Sequence, residues 1–109
     1  MPYYLHQWRY KEEQVRKMMA EGTDRSEVVR LAIKGFGGEL IAFFYCFGQY
    51  DGVAISRFPD SETALAAVLA ISGQGRISTV HTTVLIEPEE GLRAMKHARD
   101  TIGLDRLDE

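Results

Sequence analysis

The stretch Glu39 to Phe47, ELIAFFYCF, constrains this chain more than any other. Read as a strand, it alternates Leu40, Ala42, Phe44 and Cys46 on one face with Ile41, Phe43, Tyr45 and Phe47 on the other. Both faces are apolar. An antiparallel strand with one side in water would be polar at every second position. This strand therefore has to be covered twice. A chain of 109 residues fits one domain and buries a modest share of its surface. Its own helices can cover one side of a sheet, and a second copy is the simplest cover for the other.

The flanking segments supply the rest of a sheet. Tyr3 to Tyr10 (YYLHQWRY) interleaves aromatic and polar residues and reads as a first strand, adding a Tyr4, His6, Trp8, Tyr10 face to the side left for the partner. Lys11 to Glu21 is made of helix formers and is broken by Gly22-Thr23. A second helical piece starts at Asp24, which has capping-box spacing to Glu27, and ends at Gly37-Gly38. Gly52 to Phe58 is the partner strand of 39–47, stopped by Pro59. Asp60 caps a helix over Ser61 to Ser72, expected to bury Leu65, Val68 and Leu69. Arg76 to Ile86 is the last strand, and Pro88 opens a tail helix with a Leu92, Met95, Ala98, Ile102 stripe.

The order β-α-β-β-α-β plus a C-terminal helix is the ferredoxin-like, split βαβ arrangement of an α+β protein. Two helices cover one face of a four-stranded antiparallel sheet. Pairing the other face with a second copy makes a dimeric α+β barrel. The domain is placed at residues 1–90 and a helical tail at 91–109.

Within this frame, the bend "YCFGQYDGVAI" at 45–55 stands out. Gly48-x-Tyr50-Asp51, after an aromatic strand and before Val53-Ala54-Ile55, resembles the signature of the GYD domain family. "GGELIAFFYCFGQYDGVAI" is similar to that family's second and third strands, and "FPDSETALAAVLAISGQG" to its second helix. The threonine-rich strand ending in Pro88-Glu89-Glu90 fits as well. The resemblance spans most of residues 3 to 90. It implies the dimeric α+β barrel superfamily, whose members include small monooxygenases, haem proteins, isomerases and ligand-sensing modules. A fold so versatile assigns no activity by itself. This chain departs from the family at His6, Gln7 and Trp8, so a site built on them is its own.

Two readings of the bend stand side by side. In the structural one, Gly48 lets the chain turn, Asp51 accepts backbone hydrogen bonds, and Tyr50 lies over the sheet. In the functional one, Tyr50 and Asp51 offer a proton donor and a carboxylate at the mouth of a barrel. His81, among threonines on a face shared by Ile77, Thr79, Thr83 and Leu85, is either a hydrogen-bonded core histidine or a base. His6 beside Trp8 carries the same pair of readings. The three histidines sit on separate elements, so no metal or other cofactor is expected. Cys46, mid-strand among aromatics, reads as buried and inert. Gly73-Gln74-Gly75-Arg76 lacks the strand-loop-helix context of a phosphate loop and reads as a turn.

The net charge of −3 argues against nucleic-acid or anionic-membrane partners. No apolar run is long enough to span a bilayer, and no secretory signal is evident. A lone cysteine suits a reducing, cytoplasmic compartment. The expectation is a cytoplasmic homodimer, or a higher assembly, that holds a small, mostly apolar ligand. His6, Trp8, Tyr45, Tyr50, Asp51 and His81 are its candidate wall residues, and whether it is an enzyme stays open. The alternative is a non-catalytic assembly or regulatory module whose aromatic face only builds the interface.

Overall fold

A computed structural model describes residues 1–103. It consists of β1 (Tyr3–Tyr10), α1 (Glu12–Glu21), α2 (Ser26–Gly35), β2 (Glu39–Tyr45), β3 (Gly52–Arg57), α3 (Ser61–Ser72), β4 (Ile77–Leu85) and α4 (Pro88–Ile102). The strands form one antiparallel sheet in the order β2-β3-β1-β4. This is the ferredoxin-like arrangement, with its first helix divided in two. The division occurs at Gly22, whose φ of 61° lets it close α1 by donating to the Met18 carbonyl. Asp60 caps α3 by accepting from the Thr63 amide. The tail reading at 91–109 falls on α4, which runs from Pro88, and residues 104–109 lie outside the described part.

One face of the sheet is covered by α2 and α3. Tyr4, His6 and Trp8 of β1 point under these helices and are buried. That corrects the expectation that their face would await a partner. The reason is register: Tyr4 pairs with Ser56, His6 with Ala54 and Trp8 with Gly52, all buried positions of β3. The core is Tyr4, Ile33, Phe58, Ala64 and Ala67, bordered by Val29, Phe36 and Leu40. Phe58 is 1% exposed, and burying a side chain of that size stabilises by roughly 1.5–3 kcal/mol.

Two bulges break the simple alternation. Ile41 is an extra residue between Leu40, opposite Ser56, and Ala42, opposite Ile55. It turns Leu40 onto the same side as Phe43 and Tyr45, leaving Ala42 and Phe44 on the open face. Ser78 is the extra residue on β4, since Arg9 pairs with Thr79 and Tyr10 with Ile77. Ile77 therefore faces the helices, while Thr79, His81 and Thr83 face away. Bulges bend and twist a strand, which period-two counting does not anticipate.

Three further expectations are corrected. β2 ends at Tyr45, so Cys46 and Phe47 lie in the following loop and are exposed. Asp24 accepts from the Ser26 amide and hydroxyl, and Glu27 pairs with Arg30 instead of closing a capping box. α3 buries Ala64 and Ala67, while Leu65 and Leu69 are exposed. α3 carries apolar residues around much of its circumference, so hydropathy alone did not choose its inner face; close packing on the sheet selected the alanines.

The open face carries Tyr3, Leu5 and Gln7 of β1, Val53 and Ile55 of β3, and Phe44 of β2, which is 63% exposed. α4 extends away from the sheet with no buried residue, and Leu92, Met95 and Ile102 are exposed. The radius of gyration, 17.9 Å, reflects that extension, because a compact chain of this length would have about 13 Å.

Candidate functional site

α2 and α3 touch each other sparingly, and the space between them and the sheet is a cavity of about 100 Å³. Its inner end is formed by His6, Trp8, Ala54 and Phe58, and its sides by apolar residues such as Val29 and Val68. Tyr10, Arg25, Ser72, Gln74 and Arg76 line the opposite, less buried end. This end is where β1 finishes, α2 begins, α3 finishes and β4 begins. The fold thus collects residues that are remote in the chain.

His6 is 9% exposed, and burial lowers its pKa to about 4, so it is neutral at neutral pH. Nε2 lies 2.6 Å from Ser56 Oγ, and Nδ1 lies 3.0 Å from Thr82 Oγ1. Both nitrogens are occupied, which fits a histidine that joins β1 to β3 and β4. Trp8 is held differently. Its indole packs on Gly52 with its ring centre 5.5 Å from that of Phe43, and its buried Nε1 makes no well-aligned hydrogen bond, the Tyr10 hydroxyl being the polar group beside it. Ser72 Oγ is buried and unpartnered. Buried donors without a well-aligned partner cost free energy, and two of the three such atoms among the described residues belong to residues of this cavity.

The charge of the lining is one-sided. Arg25 and Arg76 contribute to it, and no Asp or Glu does. Neither arginine has a carboxylate within 4.0 Å among the described residues. Burial raises the pKa of the Tyr10 phenol, which keeps it a neutral hydroxyl. Tyr45 lies on this side of the sheet and positions Arg25. Its hydroxyl accepts from the Arg25 amide at 2.7 Å and donates to Asp24 Oδ1 at 3.0 Å, anchoring the start of α2.

The bend at 46–51 has a separate architecture. Gly48 has φ of 134°, a value that side chains with a Cβ rarely adopt. Gly52 is needed for another reason: a Cβ there would lie 2.3 Å from Trp8 Cζ2. Between them, the Asp51 amide donates to the Trp8 carbonyl at 2.8 Å, and Asp51 Oδ2 accepts from the Tyr10 amide at 2.9 Å. Arg9 donates to the carbonyls of Gly48 and Gln49. Tyr50 crosses the open face of the sheet, and its hydroxyl lies 2.8 Å from His81 Nδ1. The side chains of Tyr50 and Asp51 therefore go to different partners.

The six candidate residues thus divide. His6 and Trp8 line the cavity, Tyr45 braces its edge, Tyr50 and His81 pair on the opposite face of the sheet, and Asp51 ties the bend to β1. Tyr10, Arg25, Ser72 and Arg76 were not singled out from sequence as wall residues. The cue for Arg76 was its place beside Gly73-Gln74-Gly75, and Arg25 had none. Among the described residues, no group of three or more His, Cys, Asp or Glu side chains is placed to hold a metal. No helix among them is long and apolar enough to cross a membrane.

The profile of the GYD domain matches residues 4–95. The chain belongs to the GYD domain family. The match takes in the sheet from Tyr4 onward, α1 to α3, the 48–51 bend and the first part of α4. Among curated proteins none matches this GYD chain. Among solved structures, the crystal structure of FFRP-DM1 is similar with a TM-score of 0.53 and 16% identity, over 79% of this chain and 100% of that one. An AsnC family transcriptional regulator from Agrobacterium tumefaciens is similar with a TM-score of 0.53 and 19% identity, over 79% of this chain. The GYD chain corresponds to 50% of that regulator's length. At such identities the likeness is one of fold.

Proposed function

We propose that this GYD protein is a small-molecule-binding domain that works as a homodimeric α+β barrel, with its ligand in the cavity between α2, α3 and the sheet. The observation that carries this reading is the cavity itself, apolar at its inner end and lined by Tyr10, Arg25, Gln74 and Arg76 at the other. A concave, mostly apolar space with a few polar groups at one end is the usual form of a small-molecule site. About 100 Å³ is somewhat less than the engineered cavity of about 150 Å³ that accepts benzene, so the buried part of the ligand is small.

The second copy is placed on the open sheet face. Leu5, Val53, Ile55 and Phe44 make an apolar patch there, and pairing two such faces would remove it from water. Tyr50 and His81 would then lie at the seam. The projecting α4 supports the same assembly, since an isolated helix of about 15 residues is marginal in water and its apolar stripe needs a surface.

The test is native mass spectrometry of the gently purified protein, alongside the variant Val68→Trp, which fills the cavity from its side. The expected result is a dimer carrying an added small mass, lost in the variant while the dimer persists. A monomer would remove the barrel. A bare dimer whose melting temperature rises in Val68→Trp would favour the other reading, an assembly or regulatory module with a filled interior.

A further inference from the structure

We infer that the cavity takes a small organic acid, with its apolar body against Trp8 and its carboxylate between Arg25 and Arg76. This rests on the proposed binding role of the same cavity and names its ligand class. The argument is one of charge and place. The inner end is apolar apart from His6, whose two nitrogens are already hydrogen-bonded to Ser56 and Thr82. A neutral histidine so engaged offers a ligand neither charge nor a free donor. The other end holds two guanidinium-bearing residues with no ion-pair partner among the described residues and no carboxylate in the lining, Asp24 being turned to Tyr45 and Ser26.

The chain as a whole is acidic, with net charge −3, so two uncompensated arginines on one small cavity run against its overall balance. Partly buried cations without a counter-charge bind an anion more strongly than exposed ones do, because less solvent screens them. The local architecture also fixes one of them. The Tyr45 hydroxyl accepts from the Arg25 amide and donates to Asp24, so the chain at Arg25 is held by a side chain of β2. Arg76 is held by its own guanidinium, which donates to Gln74 Oε1, and by its carbonyl, which accepts from the Lys11 amide. An ammonium ligand would meet two like charges, and an alcohol would leave both unneutralised.

The protein carries one tryptophan, and its ring lines the cavity, so intrinsic fluorescence reports occupancy. The probes are hexanoate, 1-hexanol and hexylammonium, titrated against the full chain and against the double variant Arg25→Gln/Arg76→Gln. The expected result is that hexanoate binds about tenfold or more tightly than hexanol, and that hexylammonium binds most weakly. In the double variant, hexanoate should weaken by about tenfold while hexanol stays within roughly twofold. Hexanoate binding should also weaken with added salt, a readout that needs no variant. Equal binding of acid and alcohol, indifferent to salt and to both arginines, would overturn the ligand class and leave the cavity reading standing. If none of the three shifts Trp8 fluorescence, the cavity reading falls and takes this inference with it.

Discussion

Gly52→Ala tests the link between the bend and the cavity. An alanine Cβ at this position would lie 2.3 Å from Cζ2, 2.5 Å from Cε2 and 2.9 Å from Nε1 of Trp8. Ordinary contact begins near 3.4 Å, so the indole has to retreat by about 1 Å. It is a rigid ring with Phe43 against it, and the free direction is the cavity. Overpacking of this kind costs roughly 1–3 kcal/mol. Gly48→Ala is the control: nothing lies within 4 Å of its added Cβ, so only the φ of 134° opposes it, at about 1 kcal/mol. Urea denaturation followed by far-UV circular dichroism gives both numbers. The expectation is that Gly52→Ala loses more stability than Gly48→Ala, and that its Trp8 emission shifts in the folded state. A Gly52→Ala protein as stable as the parent, with unchanged emission, would refute the packing argument.

His6 takes a proton in the unfolded chain below about 6.5 but resists it in the folded chain until about 4, so acidification across that window costs stability, on the order of 3 kcal/mol in all. Urea midpoints at several pH values should show that slope, and His6→Gln should flatten it; an equal slope in both proteins would mean that His6 is not the buried proton acceptor. Phe44→Asp places a charge on the open face at a position that is already 63% exposed, so it should split the proposed dimer in sedimentation while leaving the fold in place. An unchanged dimer would move the interface elsewhere. Asp51→Asn keeps an acceptor for the Tyr10 amide and should melt near the parent temperature, whereas Asp51→Leu strands that amide at a cost of roughly 1–3 kcal/mol. Equal melts for the two variants would show that the Asp51–Tyr10 bond contributes nothing.

The chain's local chemistry determined its element order. Gly22 and Gly37-Gly38 ended helices, Asp60 and Pro88 began them, and Pro59 stopped a strand, because capping and proline act over a few residues. The apolar Glu39–Phe47 stretch announced a strand by composition, although β2 stands at the sheet edge with no buried residue in the single chain, and the bend at 48–51 identified the family. Side-chain direction was legible only where period two holds. The single extra residues at Ile41 and Ser78 reversed part of each edge strand, and a bulge is set by pairing with the neighbour, not by the strand's own sequence. α3 shows the same limit, since a helix apolar on several sides hides which side is inward until the sheet selects Ala64 and Ala67. The cavity belongs wholly to tertiary structure. Arg25 and Arg76 line one cavity because the start of α2 and the start of β4 come to one end of the sheet. Space remains above Trp8 because α2 and α3 touch only sparingly, and no pattern within either helix records the distance between them.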